Sequence, residues 1–186
     1  MAGLPGNGMK TSQPGKLTKT ELQKRARRIK LVLTDNDGVL TDAGVYYSEN
    51  GEAFKRFSIR DGMGVELLRR AGVHTAIITS EISPSVQRRA EKLHMPYLYL
   101  GIKEKHLHLD VICKETNLGL HELAYIGDDV NDLPIIQIIA KSGLTASPAD
   151  GMPIVKKAVH YHCPSKGGNG AFRDFAELIL QLRNSR

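Results

Sequence analysis

Long apolar runs are missing from this 186-residue chain. No stretch approaches the roughly 20 apolar residues of a membrane span, and the first residues lack the apolar core of about 7–15 residues found in a signal peptide. Cysteine is also scarce, because Cys113 and Cys163 are the only two and neither belongs to a Cys-x-x-Cys pair. Such thiols are typical of a reducing compartment. These absences predict no membrane partner and a cytoplasmic location.

Excess charge is missing from most of the chain, although its net charge is +6. Residues 1–28 contain seven of the 26 basic residues and one of the 20 acidic ones, which leaves 19 of each in the remainder. We therefore expect a basic, disordered leader over residues 1–28, with a short helix possible over 17–28, followed by one domain over 29–186. A solvated tail of this kind is not strong evidence for a nucleic-acid partner.

Beyond residue 28, strand-like and helix-like segments alternate. The predicted strands are Lys30–Thr34, Thr75–Thr79, Tyr97–Leu100, Leu123–Gly127 and Leu144–Ala146. The predicted helices are Gly64–Ala71, Ser83–Leu93, Glu104–Thr116, Asn131–Ala140 and Ala171–Leu182. This alternation is typical of a parallel sheet with right-handed crossovers, so we predict a doubly wound, Rossmann-like α/β fold.

One segment interrupts the alternation. Residues 44–57 read as a β-hairpin around Asn50 and Gly51, which together form a strong turn signal. The hairpin holds four of the chain's ten aromatic residues, which are Tyr46, Tyr47, Phe54 and Phe57. Aromatic side chains on a protruding hairpin suggest contact with another surface.

Asp35 and Asp37 lie two residues apart, directly after the first predicted strand. Two carboxylates at a strand tip repel each other, so the pair suggests a metal cation, a shared proton or both. A solvated turn is the plain alternative, since Asp and Gly are turn residues. A calcium loop does not fit, because neither possible register supplies both the required Gly and the required Glu.

Further polar groups follow the other strands. Thr79, Ser80 and Glu81 follow the second, Lys103 and Lys105 the third, and Gly127-Asp-Asp-Val-Asn-Asp132 the fourth. Ligands of doubly wound sheets bind beyond the carboxyl ends of the strands, so these groups are expected to converge there. Each has an ordinary explanation alone, as a cap or a solvated residue, but their order along the chain favours a site.

These motifs resemble those of the haloacid dehalogenase superfamily, over nearly all of the chain after residue 28. The closer resemblance is to capless phosphatases of 3-deoxy-D-manno-octulosonate (KDO) 8-phosphate and of related nine-carbon sugar-acid 9-phosphates. It includes Arg60-Asp61-Gly62 and the segment from Lys166 to Asp174.

The resemblance implies a magnesium-dependent mechanism. Asp35 would be the nucleophile that forms an aspartyl-phosphate, and Asp37 the general acid and base. The carboxylates of Asp35 and Asp128 and the backbone carbonyl of Asp37 would hold Mg²⁺. The remaining implied roles are phosphoryl binding by Thr79 and Lys105, with Lys103 as the alternative lysine, and support of the site by Asp129 and Asp132.

Two residues depart from the family pattern. Asn36 stands at a usually apolar position, and we expect its side chain to point away from the acids. Ser80 replaces a usual glycine after Thr79, and its side chain would either crowd the phosphate or add a hydroxyl to it. Neither change removes a catalytic group.

The sugar is open between two branches. Arg60-Asp61-Gly62 is similar to the KDO 8-phosphate branch, which implies lipopolysaccharide precursor synthesis, whereas Glu81, Arg89 and Lys92 are similar to the nine-carbon (KDN or N-acylneuraminate) branch. We favour KDO 8-phosphate narrowly. Arg173 is a candidate for the substrate carboxylate or for a salt bridge on its own helix.

The resemblance also implies a homotetramer in which each hairpin covers a neighbour's site, and the glycine-rich segment from Gly167 to Gly170 is a second candidate for reaching across a subunit boundary. The distant alternative is a non-catalytic regulatory or nucleic-acid-binding module that uses the basic leader. The intact acidic residues and Lys105 argue against that alternative.

Overall fold

A six-stranded parallel sheet forms the centre of the protein. The computed structural model describes residues 17–185. The sheet strands are β1 (Leu31–Thr34), β4 (His74–Ile78), β5 (Tyr97–Tyr99), β6 (Leu123–Ile126), β7 (Leu144–Ser147) and β8 (Tyr161–His162). Their order is β5-β4-β1-β6-β7-β8, and every pairing is parallel. The predicted doubly wound α/β fold is confirmed, with β8 as an additional short edge strand.

Helices cover both faces of the sheet. They are α1 (Lys19–Arg28), α2 (Ile59–Arg70), α3 (Pro84–Lys92), α4 (Leu109–Thr116), α5 (Leu133–Ile139), α6 (Pro153–Lys156) and α7 (Ala171–Asn184). One buried layer contains residues of α1, α2, α3 and α7, and the other contains residues of α4, α5 and α6. Strand β1 supplies Val32 to the first layer and Leu31 and Leu33 to the second. Apolar side chains on both faces are what a buried parallel strand requires.

The short helix considered for residues 17–28 is present as α1, but it packs against the domain that was expected to begin at residue 29. Helix α1 begins after Thr18, whose side chain accepts a hydrogen bond from the backbone N–H of Glu21. Ala26 is fully buried, and the Arg25 guanidinium donates to the carbonyls of Ala140 (2.8 Å) and Gly143 (3.0 Å). These contacts place α1 in the domain. The disorder predicted for residues 1–15 lies outside the described residues.

The predicted hairpin is confirmed as β2 (Thr41–Ser48) and β3 (Gly51–Phe57), with Gly51 at a φ of 101° in the turn. Between β1 and β4 the chain contains only this hairpin and α2, and between β4 and β5 only α3. The described chain therefore has no cap domain. Across residues 17–185, no helix combines the length and apolarity needed to cross a bilayer.

Candidate active site

Asp35 and Asp128 meet at the carboxyl edge of the sheet. Asp35 follows β1 and Asp128 follows β6, and these two strands are paired neighbours. One carboxylate oxygen from each, together with one from Asp132, lies within 4.8 Å of the others. Adjacent parallel strands end at one edge, so residues distant in sequence are brought together there.

Lys105 neutralises part of this acidic cluster. Its Nζ lies 2.8 Å from Asp35 Oδ1 and 2.7 Å from Asp132 Oδ1, and its side chain is 1% exposed. Asp132 Oδ1 also accepts a hydrogen bond from the Tyr125 hydroxyl, at 2.6 Å. Burial alone would lower the pKa of Lys105, but the charges of Asp35 and Asp132 raise it above its ordinary value. The lysine is therefore held as a cation beside Asp35.

Two acids of this cluster, Asp35 and Asp128, have raised pKa values. Burial, followed by the charge of Asp132, raises the pKa of Asp35 to about 7. Burial, followed by the charges of Asp35 and Asp132, raises the pKa of Asp128 to about 8. Carboxylates whose charge is disfavoured in this way bind a cation readily, because the cation offsets both their repulsion and their lost hydration.

The donor atoms fit a magnesium ion. Asp132 has little left to offer, since Oδ1 is shared by Lys105 and Tyr125 while Oδ2 accepts from the backbone N–H of Asp128 at 2.9 Å. Asp128 Oδ1, in contrast, is buried without a hydrogen-bond partner within residues 17–185. A buried carboxylate oxygen without a donor matches a hard cation's preference for oxygen ligands. Asp35 and Asp128 are thus the carboxylates that fit Mg²⁺, and Asp132 holds the loop that carries Asp128.

Gly38 makes room for the Asp128 carboxylate. A Cβ atom at this position would lie 2.0 Å from Asp128 Oδ2, and the backbone of Gly38 has a φ of +85°. Both the close approach and the left-handed conformation favour glycine. The glycine of the Asp-x-Asp-Gly motif therefore serves the site itself and not only a turn.

Asp37 is fixed by three side chains, one of which corrects a sequence prediction. Its Oδ1 accepts from Asn36 Nδ2 at 3.0 Å and from Thr41 Oγ1 at 3.1 Å. Asn36 was expected to point away from the acids, and this is wrong, because its amide contacts one of them. Lys55 Nζ lies 2.6 Å from Asp37 Oδ2.

Sequence reasoning missed Lys55 altogether. Alternation along β3 places Lys55 on the same face as Phe57, which packs against the core. That pattern was the available indication that the lysine points inward. Burial opposes its charge, but the hydrogen bond and charge of Asp37, followed by those of Glu52, raise the pKa of Lys55.

A pocket of about 400 Å³ opens over these acids. Its lining includes the predicted residues Asp35, Asp37, Thr79, Ser80, Glu81, Asp128 and Asp129. The hairpin contributes further lining residues, namely Val45, Tyr47, Glu52 and Lys55. The pocket joins the strand tips to the hairpin, which makes it large enough for a small phosphorylated ligand.

The other predicted substrate contacts lie outside this lining. Arg89 donates to the Ser58 carbonyl at 2.7 Å and lies over the Phe57 ring. Arg173 forms a salt bridge with Glu177 one turn along α7, at 2.6 Å. Lys92 is exposed near the end of α3, and Arg60 lines a separate cleft beside the base of the hairpin. Within one chain, the structure does not bring these four residues to the acidic pocket.

The Arg60-Asp61-Gly62 segment and the glycine-rich tail contact each other in the same chain. Asp61 is buried and accepts hydrogen bonds from the backbone N–H groups of Gly170 (3.1 Å) and Arg173 (3.0 Å) at the start of α7. The Gly168 N–H donates to the Val39 carbonyl at 2.9 Å. In this arrangement the two motifs support the loop that carries Asp35 and Asp37.

Comparisons with curated proteins identify close relatives, although no protein-family model matches the sequence. The chain is similar to 3-deoxy-D-manno-octulosonate 8-phosphate phosphatase KdsC of Haemophilus influenzae, with 39% identity over 162 residues that cover 87% of this chain and 88% of the relative. The protein of the same name from Yersinia pestis is 35% identical over 157 residues, covering 84% of this chain and 82% of the relative.

Solved structures give the same result. The KDO 8-phosphate phosphatase from Moraxella catarrhalis, in complex with magnesium, phosphate and KDO, matches with a TM-score of 0.83 and 34% identity over 89% of this chain and 93% of that chain. The cobalt-bound enzyme from Haemophilus influenzae matches with a TM-score of 0.81 and 38% identity over 86% of this chain and 91% of that chain.

Proposed function

The chain belongs to the KDO 8-phosphate phosphatase family of the haloacid dehalogenase superfamily, and we propose that it hydrolyses KDO 8-phosphate to KDO and inorganic phosphate with Mg²⁺ as cofactor. It is a phosphoric monoester hydrolase. The observation that carries the proposal is that Asp35 and Asp128 converge in the lining of one pocket, while the buried Lys105 contacts Asp35.

We assign the first chemical step to Asp35. Its Oδ1 is engaged by the backbone N–H of Asn36 at 2.7 Å and by Lys105, while its Oδ2 has no hydrogen-bond donor within residues 17–185. That second oxygen is therefore available to attack phosphorus and form an aspartyl-phosphate. Lys105 and Thr79 would bind the phosphoryl oxygens and stabilise their charge during transfer.

Asp37 would supply the proton that the leaving alkoxide needs. An alkoxide is a poor leaving group, so proton donation by a side chain is worth roughly 10²–10⁴ in rate. In the second step the same carboxylate would accept a proton from the water that attacks the aspartyl-phosphate. Mg²⁺, held by the carboxylates of Asp35 and Asp128 and the Asp37 carbonyl, would offset the repulsion between a carboxylate and a phosphate dianion.

The decisive experiment is Mg²⁺-dependent phosphate release from a panel of sugar-acid phosphates. The panel contains KDO 8-phosphate, the nine-carbon 9-phosphates of KDN and N-acetylneuraminate, and a hexose 6-phosphate. We expect the highest kcat/KM with KDO 8-phosphate and loss of activity in Asp35→Asn. Asp110→Asn removes an exposed carboxylate on α4 and is the matched control.

The panel also judges the alternative substrate. A nine-carbon phosphate hydrolysed with the higher kcat/KM would replace KDO 8-phosphate as the substrate. Failure to release phosphate from any sugar-acid phosphate would contradict the proposal and favour the non-catalytic alternative.

We further propose that the enzyme is a cytoplasmic homotetramer in which each hairpin covers a neighbour's pocket. The support is the exposure of Tyr47 and Phe54, at 75% and 57%, on a hairpin that lines the pocket. Sedimentation velocity gives the test, with a tetramer expected for the natural chain and smaller species for Tyr47→Glu. A monomer that is fully active at nanomolar concentration would contradict the assembly.

A further inference from the structure

Lys55 is an almost completely buried lysine inside the active-site pocket that the mechanism above does not use. Its side chain is 1% exposed, whereas that of Asp37, its partner at 2.6 Å, is 25% exposed. A lysine is rarely buried to this degree without a specific partner. Its position on β3, opposite Val45 of β2, means that the hairpin delivers it to Asp37.

Lys55 is in turn fixed by Glu52. One oxygen of Glu52 lies 3.5 Å from Lys55 Nζ, while the other accepts hydrogen bonds from the hydroxyls of Ser83 and Ser85, the latter at 2.8 Å. Ser83 stands at the N-cap of α3, yet its hydroxyl forms no cap hydrogen bond and donates to Glu52. The Ser83 hydroxyl therefore binds Glu52 instead of capping α3. This hydrogen bond connects the hairpin to the segment that follows Thr79.

The two oxygens of Asp37 depend on different parts of the chain. Oδ1 is held locally by Asn36 and Thr41. Oδ2 accepts a hydrogen bond from Lys55 and from no other residue in the described range 17–185. The carboxylate is therefore held from two sides, by its own loop through Oδ1 and by the hairpin through Oδ2.

Resting on the function proposed above, we propose that Lys55 is a positioning residue that holds Asp37 in the orientation needed to donate a proton to the leaving group. Glu52, with Ser83 and Ser85, keeps the lysine in place. A general acid must lie within hydrogen-bond reach of the atom it protonates, and a misplacement of about 1 Å can cost on the order of 10²-fold in rate. The hairpin thus takes part in catalysis within its own chain.

Leaving-group dependence separates this role from a purely structural one. The value of kcat/KM reports the steps up to release of the alcohol, so it excludes the later attack of water. An alkyl phosphate needs the proton of Asp37, whereas p-nitrophenyl phosphate releases a stable phenolate without it. In Lys55→Met we expect kcat/KM for KDO 8-phosphate to fall about 10²-fold, and that for p-nitrophenyl phosphate to change less than about threefold.

Three controls accompany this comparison. Lys55→Arg keeps a cationic donor and should recover most of the loss with KDO 8-phosphate. Lys114→Met removes an exposed lysine on α4 and should leave both substrates unchanged. Binding of beryllium fluoride with Mg²⁺, measured by calorimetry, should be equal in the natural chain and Lys55→Met, because that complex uses Asp35 and the metal but no leaving group.

The outcomes are distinct from those of the proposed function. Equal losses of kcat/KM with both substrates, or no loss with either, would overturn the role of Lys55. If the natural chain prefers a different alkyl phosphate, the proposed substrate fails, and the comparison is made with that phosphate against p-nitrophenyl phosphate.

Discussion

Magnesium binding should be strongly pH-dependent, because the ion must displace protons from two carboxyl groups. The pKa of Asp35 is raised to about 7 and that of Asp128 to about 8, both mainly by burial and then by neighbouring acids. Metal ligands must be deprotonated, so protons and Mg²⁺ compete for the same oxygens. Affinity should therefore rise between pH 6 and pH 8.

The size of the effect follows from these two pKa values. With pKa values near 7 and 8, Asp35 would be about one-tenth ionised and Asp128 about one-hundredth ionised at pH 6, whereas at pH 8 these fractions would be about nine-tenths and one half. If the two groups titrated independently, the doubly ionised form would increase by roughly 10²–10³-fold. The apparent Kd for Mg²⁺ should fall by about that factor.

Without metal, the same shifts lower stability as pH rises. Both carboxyls have an ordinary value of 3.8, so folding favours their protonated forms. The contribution of these two carboxyls to the unfolding free energy of the metal-free protein should therefore decrease from about pH 4 to pH 8, and saturating Mg²⁺ should offset that decrease. The increase in Tm caused by Mg²⁺ should be larger at pH 8 than at pH 6.

Isothermal titration calorimetry tests the reasoning directly. Titrations at pH 7 in two buffers of different ionisation enthalpy should show release of between one and two protons per Mg²⁺ bound. Asp35→Asn removes one titrating group and also one charge that raises the pKa of Asp128, so proton release should fall by about one or more. Asp110→Asn should behave like the natural chain. An affinity that varies less than threefold between pH 6 and pH 8, with no proton release, would refute the argument.

Three further substitutions test the site and the fold. Gly38→Ala places a Cβ atom against the Asp128 carboxylate, so calorimetry should show weakened Mg²⁺ binding, and unchanged affinity would contradict the predicted clash. Lys105→Met leaves buried carboxylates without their cation, so kcat with KDO 8-phosphate should fall by at least about 10²-fold; residual activity above a tenth would refute this role. Arg25→Ala removes two buried hydrogen bonds between α1 and the rest of the domain. The unfolding free energy measured in urea should fall by about 2–4 kcal/mol. A loss below about 0.5 kcal/mol would show that α1 is only loosely attached to the domain.

The order of strands along the chain predicted that the acidic groups after β1 and β6 would converge, and the family resemblance singled out Asp128 within the second group. Asp35 and Asp128 are far apart in the chain, but each directly follows a buried strand, and parallel strands end at one edge. A different argument, the local count of basic residues, failed for α1, because it interpreted those residues as solvated. Arg25 instead donates to a carbonyl 115 positions away, and local charge counts carry no information about such a partner.

Side-chain direction was the other limit of sequence reasoning. Asn36 was expected to point away from the acids, but the chain leaves β1 after Thr34 and bends at Asn36, and the amide of Asn36 contacts Asp37. Lys55 was missed because its burial depends on how the hairpin folds back over the pocket. The alternation of side chains along β3 indicates which face Lys55 lies on, but not what covers that face. Both residues contact Asp37, so the least predictable part of the site is the environment of that acid.

The arrangement of charges explains why the site requires a divalent ion to accept a phosphate ester. Lys105 is shared by Asp35 and Asp132, and Lys55 by Asp37 and Glu52, so each lysine offsets one of two acids. Asp128 contacts no cationic side chain in the described chain. Where Asp35 and Asp128 are both ionised, a phosphate dianion approaching this pocket would meet uncompensated negative charge, and a divalent ion bound by the two carboxylates would remove most of it. We therefore expect the two lysines to fix the orientation of Asp35 and Asp37, the proposed reacting acids, while Asp128, which has no lysine partner in the described chain, remains available for the metal.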